Sequence, residues 1–214
     1  MNLFITGTDT GVGKTYFTAL LLRGLRSRGV DAVGFKPICC GERTDAEILG
    51  EAAGGVIPID DVNPVWFQAS AAPYVAALAE GRAVDLKLIR RTYRRLCAAH
   101  ETVLVEGVGG WAVPIRADYR VSDLAVDFAL PVVVVATNRL GVINHTTLTL
   151  EAIRAAGLKC HGLVLNSDLS TRDSIATSTD ATLLEALLKT RVIAQLSCDQ
   201  ETLREAEVWN CVTP

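Results

Sequence analysis

The chain has 214 residues and a formal net charge of −3, and half of its residues are hydrophobic while 6% are aromatic. These totals suit one aliphatic α/β domain over residues 1–214 and argue against a disordered chain or the basic field of a nucleic-acid-binding protein. No apolar run approaches the roughly 20 residues that cross a bilayer, and the N-terminus lacks the pattern of a secretory signal, so we expect a cytoplasmic protein with no membrane partner. The six cysteines show no C-x-x-C spacing, so we expect reduced thiols.

A short strand, a glycine-rich loop and an amphipathic helix open the chain. The strand is predicted over residues 2–6 and the helix over residues 14–28, where apolar side chains recur at helical spacing. The intervening GTDTGVGKT resembles a Walker A loop, although one extra residue separates its first glycine from the Gly-Lys-Thr triplet. Backbone N–H groups and the helix dipole at such a helix start favour an anion. The sequence therefore predicts a phosphate-binding loop in which Lys14 reaches the β- and γ-phosphates and Thr15 offers its hydroxyl to Mg²⁺.

Strands and helices alternate along the rest of the chain. Further strands are predicted over residues 32–38, 102–106, 131–137, 161–166 and 191–196. Further helices are predicted over residues 44–53, 73–80, 85–100, 144–156 and 179–189. This βαβα order predicts an α/β fold with a doubly wound, mostly parallel sheet of the P-loop NTPase type. Because ligands of such sheets bind at the carboxyl ends of the strands, the residues that directly follow the strands are candidates for a functional site.

Three charged residues lie near predicted strand ends or helix starts. Lys36 stands before a proline that restricts its backbone. Together with Lys14 it could converge on one phosphate, an arrangement that suits phosphoryl transfer. Lys36 alone also fits a solvated strand end. Asp45 begins a predicted helix, where the dipole alone favours an acid. Glu106 ends an apolar strand, where packing does not explain a carboxylate. With Thr15, the two carboxylates offer the hard oxygen ligands that Mg²⁺ prefers.

Several separate motifs resemble those of dethiobiotin synthetases. They are TGTDTGVGKT, GFKPICCG, TDAEIL, VNP, VLVEGVGGWAVPI, LGVINHTTLTLEAIRAAGL and GLVLN, and they occur in this order between residues 2 and 167. The resemblance implies an ATP-dependent ligase of biotin biosynthesis that works as a homodimer of P-loop subunits, with the substrate site shared across the interface. The residues beyond 167 match the family poorly.

The resemblance also implies a reaction sequence and its reactants. CO2 or bicarbonate carboxylates 7,8-diaminononanoate to a carbamate, and ATP, with Mg²⁺ as cofactor, phosphorylates the carbamate to a carbamic–phosphoric anhydride. Attack by the second amine then closes the ureido ring of dethiobiotin and releases phosphate, so the products include ADP and phosphate.

Individual residues receive roles from the same resemblance. The implied catalytic residues, which touch the γ-phosphoryl group or the carbamate, are Lys36, Lys14 and Thr10. The implied nucleotide contacts are Thr10, Gly11, Val12, Gly13, Lys14, Thr15, Tyr16, Asn166 and Glu201. The implied Mg²⁺ ligands are Thr15, Asp45 and Glu106. The implied substrate contacts are Cys40, Gly109, Gly110, Val142, Ile143 and Asn144.

The implied contacts differ in their chemistry. Asn166 is expected to recognise the adenine, whereas Glu201 fits either a ribose contact or a solvated helix acid. Gly109 and Gly110 allow a close approach of backbone to substrate. The N–H groups of residues 142–144, at a helix start in the partner subunit, are expected to hold the far carboxylate of the substrate.

This chain departs from the family pattern at three places. Cys40 stands where the family usually has a serine, and a thiol is a weaker hydrogen-bond donor than a hydroxyl. Leu196 and Ser197 replace a late Ile-Pro pair that borders the adenine, and a tyrosine expected near Ser178 is missing. The base selectivity and the contact to the substrate tail are therefore open.

Other P-loop proteins are alternatives. A ParA- or MinD-like ATPase switch usually carries a signature lysine early in the loop, where this chain has Asp9. An amidoligase related to cobyric acid synthesis usually carries a glutaminase domain, and a small-molecule kinase would leave a stable phosphorylated product. The alternative retained beside the ligase is the switch, which would act through protein partners.

Overall fold

A computed structural model describes residues 1–167, 175–197 and 199–212, with the side chains of residues 175–180 outside the described part. The described strands are β1 (Leu3–Gly7), β2 (Ala32–Phe35), β3 (Ile38–Cys40), β4 (Val65–Phe67), β5 (Thr102–Gly110), β6 (Pro114–Arg116), β7 (Tyr119–Arg120), β8 (Val132–Thr137), β9 (Cys160–Ser167) and β10 (Val192–Ser197). The described helices are α1 (Lys14–Arg26), α2 (Thr44–Ala52), α3 (Ile59–Val62), α4 (Pro73–Ala79), α5 (Leu86–Ala99), α6 (Val121–Phe128), α7 (Val142–Ala155), α8 (Ile175–Leu188) and α9 (Glu205–Val212).

A six-stranded parallel sheet, in the order β10-β9-β8-β1-β5-β2, forms the centre of the molecule. The prediction of a doubly wound, mostly parallel α/β sheet is confirmed. Strand β1 lies between β5 and β8, and its Ile5 pairs with Glu106. The Glu106 carboxylate, in the middle of β5, therefore lies beside the strand that leads into the phosphate loop.

The two faces of the sheet bury separate apolar clusters, because successive strand residues point to opposite sides. Leu3 and Ile5 pack with α1, α2 and α9 on one face, in a cluster that includes Leu21 and Leu49. Phe4 packs on the other face with residues of α5, α6, α7 and α8. This double cover explains why the strands are almost wholly apolar.

The predicted strand 32–38 is wrong in extent. It divides into β2, which ends at Phe35 in the large sheet, and β3, which starts at Ile38 and pairs in parallel with β4 in a separate two-stranded sheet. The break falls at Lys36 and Pro37. Proline has no N–H for a ladder, and the Lys36 N–H donates instead to the Val62 carbonyl oxygen at 2.7 Å.

Other boundaries also differ from the predictions. Helix α7 begins at Val142, two residues earlier than the predicted 144, after Gly141 with φ of +98°. Strand β5 continues beyond Glu106 to Gly110, and α6 was not predicted at all. Among the described residues, no helix combines the length and the apolar character needed to cross a bilayer.

Candidate nucleotide and phosphoryl-transfer site

The loop between β1 and α1 has the backbone of a phosphate cradle. Gly11 and Gly13 adopt φ of +73° and +94°, a region that side chains avoid. A Cβ at Gly7 would lie 2.7 Å from both the Asp9 carbonyl oxygen and Val12 Cγ2. Gly13 precedes the first residue of α1 and has no side chain to cap the helix. The N-cap residue therefore supplies no side-chain acceptor at the start of α1, where backbone N–H groups suit an anionic ligand.

Lys14 lies folded into this loop. It is 6% exposed, and its Nζ donates to the Asp9 carbonyl oxygen at 3.1 Å. Burial and, to a smaller extent, the charge of nearby Lys36 together lower the pKa of Lys14 to about 8. An anion in the loop would oppose both effects, because it would add a counter-charge beside this ammonium group.

Lys36 is the centre of a buried charge network. Its Nζ lies 2.6 Å from Asp45 Oδ2 and 2.6 Å from Glu106 Oε1. The Thr15 hydroxyl donates to the same Glu106 oxygen at 2.7 Å. Residues from β1–α1, β2, α2 and β5 thus meet at one point, which the separate sequence motifs could only imply.

The charges of this network stabilise one another. Burial lowers the pKa of Lys36, but attraction to Glu106 and Asp45 outweighs burial, and the net pKa is raised. For Asp45, burial raises the pKa, but the charge and hydrogen bond of Lys36, with the Thr15 hydroxyl, leave the net pKa lowered. Lys36 and Asp45 are consequently both charged at neutral pH.

The donor set fits Mg²⁺. Glu106 is fully buried, and its Oε2 has no hydrogen-bond partner among the described residues. A buried carboxylate oxygen without a partner is costly unless a ligand completes its surroundings. A complete set of protein ligands is not available, because the described residues hold no group of three or more His, Cys, Asp and Glu side chains that could bind a metal ion. Two carboxylates and one hydroxyl would leave most positions to water and phosphate, which Mg²⁺ favours.

A cavity of about 650 Å³ joins the loop to the charge network. The predicted site residues that line it are Thr10, Gly11, Gly13, Lys14, Thr15, Tyr16, Lys36, Cys40, Asp45 and Gly109. Sequence reasoning missed Ser70, Ala71, Ala72, Pro73, Val108 and Val113, which complete the wall. The signals for these residues were weak: an irregular, proline-containing segment before α4 and the apolar positions around the glycines of β5.

Comparisons with known proteins identify the family. A family model described as an AAA domain matches residues 1–206. The chain is 46% identical to ATP-dependent dethiobiotin synthetase BioD of Akkermansia muciniphila over 94% of this chain and 93% of that relative. It is 50% identical to ATP-dependent dethiobiotin synthetase BioD of Anaeromyxobacter dehalogenans strain 2CP-C, over 77% of this chain and 75% of that relative. The chain belongs to the dethiobiotin synthetase family.

Solved structures of other P-loop proteins share the fold. The MinC:MinD cell division complex of Aquifex aeolicus matches with a TM-score of 0.58 and 14% identity, over 98% of this chain and 86% of that chain. A ParA family ATPase of Chlorobium tepidum matches with a TM-score of 0.56 and 10% identity, over 98% and 92%. At such low identity the likeness concerns the fold alone.

Some residues implied by the dethiobiotin synthetase resemblance lie behind the cavity wall. Val12 is buried in the core. The Asn166 amide nitrogen donates to the Val12 carbonyl oxygen at 3.1 Å, and a Cβ at Gly13 would lie 2.2 Å from that nitrogen. A Cβ at Gly110 would lie 3.5 Å from the Gly7 carbonyl oxygen. These residues support the loop from behind, and the predicted contact of Asn166 with the nucleotide stays a prediction.

Four of the remaining implied contacts lie outside the cavity wall. Val142, Ile143 and Asn144 form the first turn of α7 and do not line the cavity. Glu201 is exposed and also lies outside the cavity wall. The Tyr16 hydroxyl donates to the Ser197 carbonyl oxygen at 2.9 Å, so α1 contacts the end of β10. The position near Ser178 lies outside the described side chains.

Proposed function

We propose that this chain is an ATP-dependent dethiobiotin synthetase, which forms dethiobiotin from 7,8-diaminononanoate, CO2 and ATP in the cytoplasm. The observation that carries the proposal is the convergence of two lysines on one cavity: Lys14 lines it at the phosphate loop, and Lys36 lines it beside Asp45 and Glu106. Membership of the dethiobiotin synthetase family supports the choice of reaction.

The phosphate loop binds and orients the nucleotide in this proposal. The N–H groups at the start of α1 and the Lys14 ammonium hold the phosphates, and Asn166 and Glu201 lie toward the base and the ribose. Fixing the γ-phosphoryl group beside the acceptor supplies much of the catalysis, since phosphoryl transfer depends mainly on positioning and charge stabilisation.

Lys36 stabilises the acceptor and the transferred group. A carbamate oxygen attacks the γ-phosphorus, the bond to the β-phosphate oxygen breaks, and ADP leaves. Both the carbamate and the phosphoryl group are anionic, so an ammonium group between them lowers their repulsion. Thr10, at the edge of the cavity, offers its hydroxyl to the same oxygens.

Ring closure follows in the same cavity. The second amine attacks the carbonyl carbon of the carbamic–phosphoric anhydride, the C–O bond to phosphate breaks, and the phosphate dianion can accept the proton that the amine loses. The carbamate is already an anion, so neither step requires a strong general base from the protein.

Thr15, Asp45 and Glu106 are the residues that would hold Mg²⁺. When bound, the ion neutralises charge on the β- and γ-phosphates. The two carboxylates already contact Lys36 Nζ, and the Thr15 hydroxyl donates to the Glu106 oxygen of that pair.

The same cavity suits an alkyl diamine. Its lining includes Cys40, Ser70, residues 71–73, Val108 and Val113, so apolar surface is available for the carbon chain. Gly109 lines the cavity and admits the substrate close to the backbone, with Gly110 packed behind it against the phosphate loop. We place the substrate carboxylate at the first turn of α7 of a second subunit, at residues 142–144, which makes the active protein a homodimer.

The test is a reconstituted reaction. The protein receives ATP, Mg²⁺, bicarbonate and 7,8-diaminononanoate, and ureido product and phosphate are measured. We expect phosphate release that depends on the diamine and equals product formed. Lys36→Met should lower turnover roughly 10²-fold or more while nucleotide affinity changes less than about tenfold. ATP hydrolysis that ignores the diamine would favour the ParA- or MinD-like switch, and near-normal product formation by Lys36→Met would overturn the role of Lys36.

A further inference from the structure

A buried asparagine, Asn63, connects the segments that carry Lys36 and Asp45. It follows α3 and is 1% exposed. Its Nδ2 donates to the carbonyl oxygens of Lys36 at 2.8 Å and Val65 at 2.9 Å, and its Oδ1 accepts from Arg43 Nε at 3.1 Å. Both donor hydrogens and the oxygen of the amide are therefore used, which determines the orientation of the side chain.

The Lys36 peptide depends on this support because it lies between two sheets. Strand β2 leaves the large sheet after Phe35, and the pairing of β3 with β4 starts at Ile38. The Lys36 N–H donates to the Val62 carbonyl oxygen at 2.7 Å, and the Lys36 carbonyl oxygen accepts from Asn63. The end of α3 thus replaces the ladder partners that Lys36 lacks and fixes the origin of its side chain.

Arg43 extends the same support to the helix that carries Asp45. Arg43 is the N-cap residue of α2, and its carbonyl oxygen accepts from the Ala46 N–H at 2.8 Å. Its guanidinium contacts Asn63 twice, at Oδ1 and at the carbonyl oxygen, the second at 2.8 Å. One buried amide is therefore bonded on one side to Lys36 and on the other to the residue two positions before Asp45.

We propose that Asn63 is a positioning residue for phosphoryl transfer, an inference that rests on the proposed function. Asn63 lies outside the cavity wall and acts through backbone groups. It holds the Lys36 peptide and the start of α2 at the separation that leaves Lys36 Nζ 2.6 Å from Asp45 Oδ2. A reactive group displaced by about 1 Å can lower a rate roughly 10²-fold, so loss of this amide should affect turnover more than binding.

Asn63→Ala tests the proposal, with Asn2→Ala as the matched control. Asn2 also uses its side chain to join two segments, because its Oδ1 accepts from the Val103 N–H at 2.8 Å, but it lies at the opposite end of the sheet. We expect Asn63→Ala to lower kcat roughly 10- to 100-fold and to leave the KM for ATP within about threefold, since the phosphate loop is untouched. Asn2→Ala should keep the wild-type kcat.

A spectroscopic readout makes the test independent of turnover. The Lys36 ammonium is buried between two carboxylates, so its protons should exchange slowly and give a ¹⁵N-correlated NMR signal, assigned by its loss in Lys36→Met. We expect Asn63→Ala to lose or shift this signal and Asn2→Ala to keep it. If wild-type protein forms no ureido product, the proposed function fails, while the signal still tests the placement of Lys36.

Arg43→Met provides a second variant in case Asn63→Ala does not fold. The Arg43 side chain is 18% exposed, and its replacement leaves the contact from Asn63 to Lys36 intact. We expect the Lys36 signal to remain and kcat to fall roughly three- to tenfold, because the link from Asn63 to α2 is cut while the link from Asn63 to Lys36 remains. The proposal would be overturned by a wild-type kcat in Arg43→Met. It would also be overturned if kcat fell less than threefold in Asn63→Ala with an unchanged Lys36 signal, or if kcat fell equally in Asn2→Ala and Asn63→Ala.

Discussion

Lys36 and Glu106 form an ion pair inside the protein, with Nζ and Oε1 2.6 Å apart and side chains that are 4% and 0% exposed. Lys36 directly follows β2, and Glu106 lies in the middle of the neighbouring strand β5. A buried pair of this kind costs desolvation energy and is a weak source of net stability. Because Lys36 lines the cavity beside the phosphate loop, the pair points to a chemical use. The loss of one partner should also change the free energy of unfolding, which can be measured.

Removal of Lys36 alone should destabilise the protein more than removal of the pair. Lys36→Met leaves the Glu106 carboxylate buried with one cation fewer, and breaking such a pair costs about 3–5 kcal/mol. Lys36→Met/Glu106→Gln should recover a large part of this loss without recovering activity. Urea denaturation gives the free energies of unfolding for the double-mutant cycle.

A surface pair provides the control for that cycle. Arg95 pairs with Asp61, and the Arg95 side chain is 59% exposed, so Arg95→Met should cost less than about 1 kcal/mol. Equal losses of unfolding free energy in Arg95→Met and Lys36→Met would contradict the buried pairing of Lys36.

Nucleotide affinity should weaken as the pH rises through the pKa of Lys14. In the free protein this pKa is lowered to about 8, first by burial and then by Lys36, so the ammonium loses its proton above that pH. Bound phosphates favour the charged form and raise the pKa. Above about pH 8, the Kd for ATP should therefore rise up to tenfold per pH unit, with proton uptake on binding.

Titration calorimetry in two buffers of different ionisation enthalpy measures this proton uptake. Lys14→Arg is the matched control, because a guanidinium remains charged across the range and should remove the pH dependence even if affinity falls. A Kd for wild type that stays constant between about pH 7.5 and 9.5 would be incompatible with a depressed pKa at Lys14.

The parts of the site that the sequence predicted are those with local signals. The phosphate loop combines glycines, a lysine and a helix start within a short stretch, and its backbone has the expected positive φ at Gly11 and Gly13. Glu106 was recognisable because a carboxylate ends an apolar run. Both features depend on neighbours in sequence, so no knowledge of distant contacts was needed.

Contacts between distant segments were not predictable in the same way. Pro37 marks the break in residues 32–38, but nothing near it in sequence identifies Asn63, a residue 27 positions away, as the partner of the Lys36 carbonyl oxygen. The wall at residues 70–73 belongs to an irregular segment with neither helical nor strand periodicity. Such features depend on where the loop packs, which only the assembled fold determines.

Gly13→Ala should abolish high-affinity nucleotide binding. The residue has φ of +94°, and a Cβ would lie 2.2 Å from Asn166 Nδ2, so both the loop and the asparagine behind it must move. Gly29→Ala is the control: its φ is +81° with nothing within 4 Å of the added Cβ. It should cost roughly 1–2 kcal/mol of stability from strain and leave the Kd for ATP unchanged. An unchanged Kd in Gly13→Ala would sink the prediction.

Cys40 and Cys39 are neighbours on β3 with opposite surroundings, and serine at each should have a different effect. Cys40 lines the cavity, and burial, with the charge of Glu80, raises its pKa to about 11, so the thiol stays protonated. A serine hydroxyl is the stronger donor, so Cys40→Ser should lower the KM for the diamine severalfold and keep kcat.

Cys39 packs in the core beside α2, so Cys39→Ser should cost about 1–3 kcal/mol of stability without changing KM. Steady-state kinetics and urea denaturation separate the two effects, and a tenfold fall in kcat for Cys40→Ser would mean that the thiol takes part in the chemistry.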